Sequence, residues 1–505
     1  MRPALAQWAP AGRAAAGTHR EERSTVILVG IDVGTTGLKA VALSPAGRLL
    51  RERTERYATR FAGAAAEQDA GDWWGAACAV LPDVVDGDDV LGLAVTCQAP
   101  TLVAVDAAGA PRGPALTWID RRAVAESAEI AALADAGRNG ADPFFGTAKL
   151  LWWARHRTDL DGAAAVLGAN GFVVRQLCGV DSLDESTAGM LQGWDGGFPP
   201  ALAAAVPVGL LPAAVPCVDV VGTVSAAAAK ATGLPAGTPV AAGGIDSIGA
   251  ALEAGVFTPA DPPVEMTGFS TVTMRAAARG SHVPGMIHTR HAVAGTDLVL
   301  SAQTSTGSVV DWVHGLTGTT YGDATTRVPA GRPGRLLLVP SFAGERTPTW
   351  TPRARGAVVG LDLSCTAGDL LLAVYEGTAL ALRDNLERLD SAGGATPTLR
   401  SSGGGVKNRA WMQVKADVLG RPVQVPVAGH GAAVGAGLLA GLAVGVWSDP
   451  QELRALSDPV RETYQPDPGR HRAYTRRLVL FRELQASLPA YDELADDETD
   501  EESVR

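Results

Sequence analysis

The chain has 505 residues, 46% hydrophobic and 19% charged, with a formal net charge of −11. That length and apolar content suit two or more domains, each with its own core. The acidic balance argues against a nucleic-acid or anionic-membrane partner, and five dispersed cysteines without a CxxC pair argue for a reduced, cytoplasmic protein rather than a disulfide framework or a zinc site.

Residues 1–24 are Ala- and Arg-rich without a continuous apolar core, which predicts a disordered extension rather than a signal peptide. Val26–Leu43 then reads as strand, tight turn, returning strand. Asp32 closes the first strand, Gly34-Thr35-Thr36-Gly37 makes the turn, and Lys39 opens the second strand. Glycines and hydroxyls in such a turn can present N–H and O–H groups to a phosphate. A neighbouring carboxylate such as Asp32 can hold Mg²⁺ through water. A third strand is predicted at Leu49–Arg56, a helix from Trp73-Trp74 toward Val84, and strands at Val90–Thr96 and Leu102–Val105. Gln98 follows the first of these, and Trp118-Ile119-Asp120-Arg121-Arg122 leads into an Ala-rich helix.

Lys149–Trp194 reads as helical segments, and Val215–Val224 as one strand. Gly237–Val256 gives strand, Gly-Gly turn, Asp246, then helix. Pro259, Pro262 and Pro263 mark a linker, so the domains are expected at 25–257 and 263–485, with a solvated acidic tail at 490–505. The chain then starts again with strand, turn and strand over Val264–Ala276, the turn carrying Gly268, Phe269 and Ser270. His288 and His291 have no acid or thiol arranged around them and are not read as metal ligands. Asp369–Leu389 is a helix by its three- and four-residue apolar steps. Thr398–Ser402, Gly403-Gly404-Gly405 and Asn408–Leu419 give strand, glycine loop and helix, a natural nucleotide cradle. Gly431–Trp447 is too short and too rich in small residues for a membrane span and reads as a buried helix.

Two segments that each begin strand–turn–strand predict a duplicated α/β architecture: two ribonuclease-H-like, actin-like ATPase domains with an interdomain active-site cleft. From Ile27 to Leu480 the chain resembles the FGGY carbohydrate kinases. The most specific stretch is Gly356–Glu376, where Gly356, Val358, Gly360, Leu361, Asp369, Ala373 and Glu376 fit the family's second signature, flanked by Gly344-Glu345-Arg346-Thr347-Pro348 and Gly403–Asn408. Lys149-Leu150-Leu151-Trp152 fits the first signature loosely.

The resemblance implies ATP and Mg²⁺ as cofactors and a small sugar as partner, with a homodimer left open. It implies Asp246 as catalytic base. It also implies phosphate and nucleotide contacts from Asp32, Gly34, Thr35, Thr36, Lys39, Gly268, Ser270, Gly307, Gly404, Gly405 and Asn408, with Mg²⁺ at Asp32, and sugar contacts from Gln98, Asp120, Arg122 and Asp246. Phe269 stands where the family usually has a hydroxyl. A xylulokinase-like activity is the first expectation. Ala99-Pro100-Thr101 and Ser247 depart from the pattern usual for D-xylulose, so gluconate, ribulose and glycerol remain alternatives. A non-catalytic sugar or nucleotide sensor is the alternative from another class.

Overall fold

A computed structural model describes residues 25–133, 139–140, 142–320, 333–427, 431–456 and 459–492. The extension expected at 1–24 and the acidic tail beyond 492 lie outside the described residues.

Two seven-stranded sheets organise the chain. In the first, Val26–Val33, Gly37–Leu43 and Leu49–Arg56 form an antiparallel meander, because short turns can only return a strand antiparallel. Val26–Val33 then pairs in parallel with Asp89–Cys97, after the crossover helix Ala70–Val85, and Asp89–Cys97 pairs in parallel with Pro239–Ala241. The second sheet repeats the scheme. Val264–Thr267, Thr271–Ala278 and Thr296–Gln303 form the meander, Val264–Thr267 pairs in parallel with Leu399–Ser402, and that strand pairs in parallel with Val423–Pro426. The duplication expected from two strand–turn–strand starts is therefore present in strand order and direction.

A five-stranded sheet built from Arg60–Ala62, Ala65–Gln68, Ala115–Leu116, Leu102–Val105 and Ala165–Gly168 is inserted into the first half. Four of these strands escape the sequence pattern because they are only two to four residues long, Ala165–Gly168 among them inside a stretch expected to be helical. The single strand expected at Val215–Val224 is instead two, Ala214–Val215 and Val220–Thr223, in different sheets. Pro216 lies between them and has no N–H to continue a ladder.

The helix Ala432–Ala443 comes late in the chain but packs on the first sheet, against Val26–Val33 and the helix Asp246–Glu253. Glycine makes that approach possible. A Cβ on Gly30 would lie 2.1 Å from the Ala433 carbonyl oxygen, and one on Gly435 only 1.8 Å from that of Gly249. One apolar core joins Leu28 and Val41 of the first sheet, Leu438 and Leu439 of this helix, and Met274 and Leu298 of the second sheet.

In the family-signature stretch, the helix is Ala367–Asp390, capped by Thr366 in a capping box with Asp369. Hydrogen bonds from Thr366 and Arg335 hold the Asp369 pKa down at about 2. The other signature acid, Glu376, is buried and accepts from Gly334 N at 2.7 Å and the Tyr474 hydroxyl at 2.8 Å. Both acids thus serve the fold, as a cap and as an interior tie.

Candidate active site

Asp246 opens its helix directly after the short strand Gly244–Ile245, which pairs with the end of Asp89–Cys97. The preceding Gly243 has φ 83°, and a Cβ there would meet the Val95 carbonyl oxygen at 2.0 Å. Only glycine lets the chain turn so close to the sheet. The first helical turn favours an ionised carboxylate, and Ser247 donates to Asp246 Oδ1 from its N–H at 2.6 Å and its hydroxyl at 3.1 Å.

Asp32 ends the first strand opposite Lys39 and beside Thr96, whose hydroxyl donates to it at 2.9 Å. Burial raises the Asp32 pKa, against the opposing pull of the Thr96 bond and the Lys39 charge. The Asp246 side chain is open to the cleft but protein surrounds it on the other sides. That desolvation, and then the negative charge of Asp32, push its pKa up to about 7. Each acid opposes ionisation of the other, so a cation shared with phosphate oxygens would relieve both. Among the described residues no group of three or more His, Cys, Asp or Glu could cage a metal alone. The Asp32 carboxylate, desolvated beside the cleft, is the kind of single hard oxygen donor that Mg²⁺ takes when phosphate oxygens supply the rest.

A cavity of about 130 Å³ opens at Asp246 between the two halves. The first half contributes Thr35, Trp118, Phe144 and Ser247; the second contributes Val272, Ala302 and Arg346. Trp118 Nε1 donates to the Thr35 hydroxyl at 3.0 Å, which ties the wall to the Gly34–Gly37 turn. The Arg346 guanidinium lies 4.8 Å above the Trp118 ring and 5.1 Å from that of Phe144. Burial, then the nearby Arg121 charge, push its pKa down to about 10. No acid or carbonyl among the described residues accepts a hydrogen bond from it, so its donors remain available in the cavity.

The residues singled out from sequence fall into three groups. Asp32, Thr35 and Asp246 come together at the cleft. Gly34, Thr36 and Gly37 complete their turn, closed by Gly34 N donating to Gly37 O at 3.0 Å, while Lys39 pairs with Glu52 at 3.5 Å. The second group lies on the second sheet. Gly307 begins the helix Gly307–Thr317 pressed on the Gly268–Ser270 turn, where a Cβ would lie 2.0 Å from Gly268 O. Phe269 is 72% exposed, and its carbonyl accepts from Ser308 N, so the ring points away while the backbone holds the turn. Gly404 and Gly405 sit in a short 3₁₀ turn before the helix Arg409–Leu419. Asn408 is that helix's N-cap and also donates to the Tyr375 hydroxyl at 2.6 Å, which leaves its side chain committed to the fold.

The third group does not line the cavity. Gln98 is buried and donates to Gln68 Oε1 at 2.6 Å. Asp120 accepts from Ala66 N at 2.9 Å and pairs with Arg122, which also binds Glu67 and lies over Trp152. An amide and an ion pair suit sugar hydroxyls by residue type, but here residues of the inserted sheet engage the Gln98 Nε2, Asp120 and Arg122, and the buried Gln98 Oε1 has no partner. Nothing in the sequence pattern brought Phe144, Trp118 or Arg346 to this cavity. A tryptophan beside Asp120 looks like core, and nothing local shows that Arg346 reaches across to the first half.

Duplicated sheets facing a common cleft define a two-domain fold of the actin-like ATPase type. Models of the FGGY family of carbohydrate kinases match residues 27–252 as its N-terminal domain and 267–444 as its C-terminal domain, and the chain belongs to that family. It is 28% identical to the xylulose kinase of Escherichia coli, over 91% of this chain and 99% of that protein. It is 29% identical to the erythritol kinase of Brucella abortus, over 93% and 98%. The solved xylulose kinase of Rhodospirillum rubrum superposes with a TM-score of 0.84 at 30% identity, covering 92% of this chain and 100% of that one.

Proposed function

We propose that the protein transfers the γ-phosphoryl of ATP to a hydroxyl of a small ketose, xylulose first, with Asp246 as general base. The observation that carries this reading is the Asp246 carboxylate, open to a cavity between the halves and raised to about 7. A base of that pKa takes a hydroxyl proton near neutral pH. The acceptor oxygen then attacks the γ-phosphorus, ADP leaves, and the proton stays on Asp246 until it is lost to solvent. Bound ATP–Mg²⁺ supplies the phosphoryl group and its countercharge. The Thr35–Thr36 turn and the Gly268–Ser270 turn would hold the phosphates, and Asp32 would hold the ion. Arg346 and Trp118 hold the sugar, the first by donated hydrogen bonds and the second by its ring face.

A second reading, a polyol or sugar acid as acceptor, is favoured by the erythritol kinase relative and by the available donors of Arg346. No helix among the described residues is long and apolar enough to cross a membrane, and five free thiols fit a reducing cytoplasm. ADP release, measured by a coupled assay over pentuloses, hexuloses, polyols and aldonates, tests the assignment. Turnover with a ketopentose at the highest kcat/KM supports the first reading, and turnover highest with a polyol or aldonate supports the second.

A further inference from the structure

A buried ion pair, Lys415–Glu265, stands between the two loops assigned above to the nucleotide. Glu265 is fully buried and Lys415 is 2% exposed. Lys415 Nζ donates to Glu265 Oε1 at 2.6 Å and to the Thr267 hydroxyl at 3.0 Å, and lies 4.6 Å from the Trp411 ring. Ser401 donates to the same carboxylate oxygen, and Thr267 to the other. Thr267 is the last residue, and Ser401 the last but one, of adjacent parallel strands. Thr267 runs straight into the Gly268–Ser270 turn, and Ser401 lies just before Gly403–Gly405. Thr267 also bears on both loops through its backbone and methyl group. A Cβ on Gly403 would lie 2.5 Å from Thr267 O, and one on Gly405 2.8 Å from Thr267 Cγ2.

The hydroxyl chain continues from Thr267 to Thr271 at 2.9 Å, to Thr306 at 3.0 Å, and to the Phe269 carbonyl at 3.5 Å. Burying a lysine and a glutamate is a poor way to stabilise a fold. Apolar residues of similar volume are often neutral or better, and such pairs are best attested where they fix a register.

We propose that Lys415 and Glu265 are positioning residues that set the distance between the Gly268–Ser270 turn and the Gly403–Gly405 loop, and through it the affinity for ATP. This rests on the reading of those loops as the nucleotide site. The test is the paired apolar variant Glu265→Leu/Lys415→Met, which removes both charges together and so avoids the misfolding expected of either single change. Thr271→Val breaks the hydroxyl chain with the ion pair intact. ATP dissociation constants are measured by titration without sugar, and KM for ATP and for the sugar by ADP release, alongside thermal midpoints. The double variant is expected to melt within a few degrees of wild type. Its ATP Kd and KM should rise about tenfold, with the sugar KM unchanged, and Thr271→Val should shift them the same way by less. A double variant with wild-type ATP affinity overturns the proposal, and so does equal loss of ATP and sugar affinity. Wild-type protein that binds no ATP overturns the nucleotide reading beneath it, an outcome seen before any variant is made.

Discussion

Replacing Asp246 by Asn should move activity and stability in opposite directions, which separates loss of a base from damage to the fold. An Asp pKa near 7 against about 3.9 in an unfolded chain is a difference of about three units, or ~4 kcal/mol if fully expressed. The side chain is open to cleft water, so screening reduces this to on the order of 1 kcal/mol. The sign follows from the raised pKa. Below pH ~4 both states hold the proton and the group contributes no penalty. From there to pH ~7 the unfolded chain has lost the proton while the folded chain still holds it, so stability falls as pH rises; above ~7 the penalty is complete. Asp246→Asn removes it. By thermal denaturation its midpoint should therefore exceed wild type by about 1–2 °C at pH 8 and match it at pH 4. Sugar phosphorylation should fall by ~10²–10⁴-fold. A midpoint lowered equally at both pH values would refute the electrostatic account of the site.

Other consequences are open to direct measurement. Activity should need ionised Asp246, so kcat/KM for the free enzyme should fall about tenfold per pH unit below the apparent pKa near 7; a flat profile down to pH 5 would exclude this group as the base. Arg346→Met should raise the sugar KM about 10–100-fold with little change in the ATP KM, and Arg346→Lys should rescue it poorly because the planar fork is lost. Gln98→Met should lower the melting point through the lost bond to Gln68 and leave the sugar KM unchanged, whereas a raised KM would return Gln98 to the sugar. Gly435→Ala forces a methyl 1.8 Å from the Gly249 carbonyl oxygen and should cost about 1–3 kcal/mol or more, read by denaturant unfolding.

The duplicated fold was legible because its signal is local. Each half begins with an apolar strand, a Gly-containing turn and a second strand, and short turns dictate antiparallel pairing. The place of Asp246 at a strand-to-helix turn was legible too, but a role as base came only from the family resemblance, because locally such an acid reads equally well as a helix cap. What sequence did not reveal depends on approaches between distant segments. Gly30, Gly249 and Gly435 are 405 positions apart at the extremes and look like compositional bias, yet they seat the late helix on the first sheet. Arg346 reads as a loop residue until it is seen over Trp118 and Phe144. Gln98, Asp120 and Arg122 illustrate the converse. Their chemistry suits a sugar, but Gln68, Ala66 and Glu67 engage them, and of Gln98 only the buried Oε1 is left without a partner.

The most direct test of the catalytic assignment is product formation followed by phosphorus NMR, with ATP, Mg²⁺ and xylulose, for wild type and Asp246→Asn side by side. The account predicts a sugar phosphate and stoichiometric ADP from wild type, and none above background from a variant that still binds ATP. Undiminished sugar phosphate from the variant would contradict it.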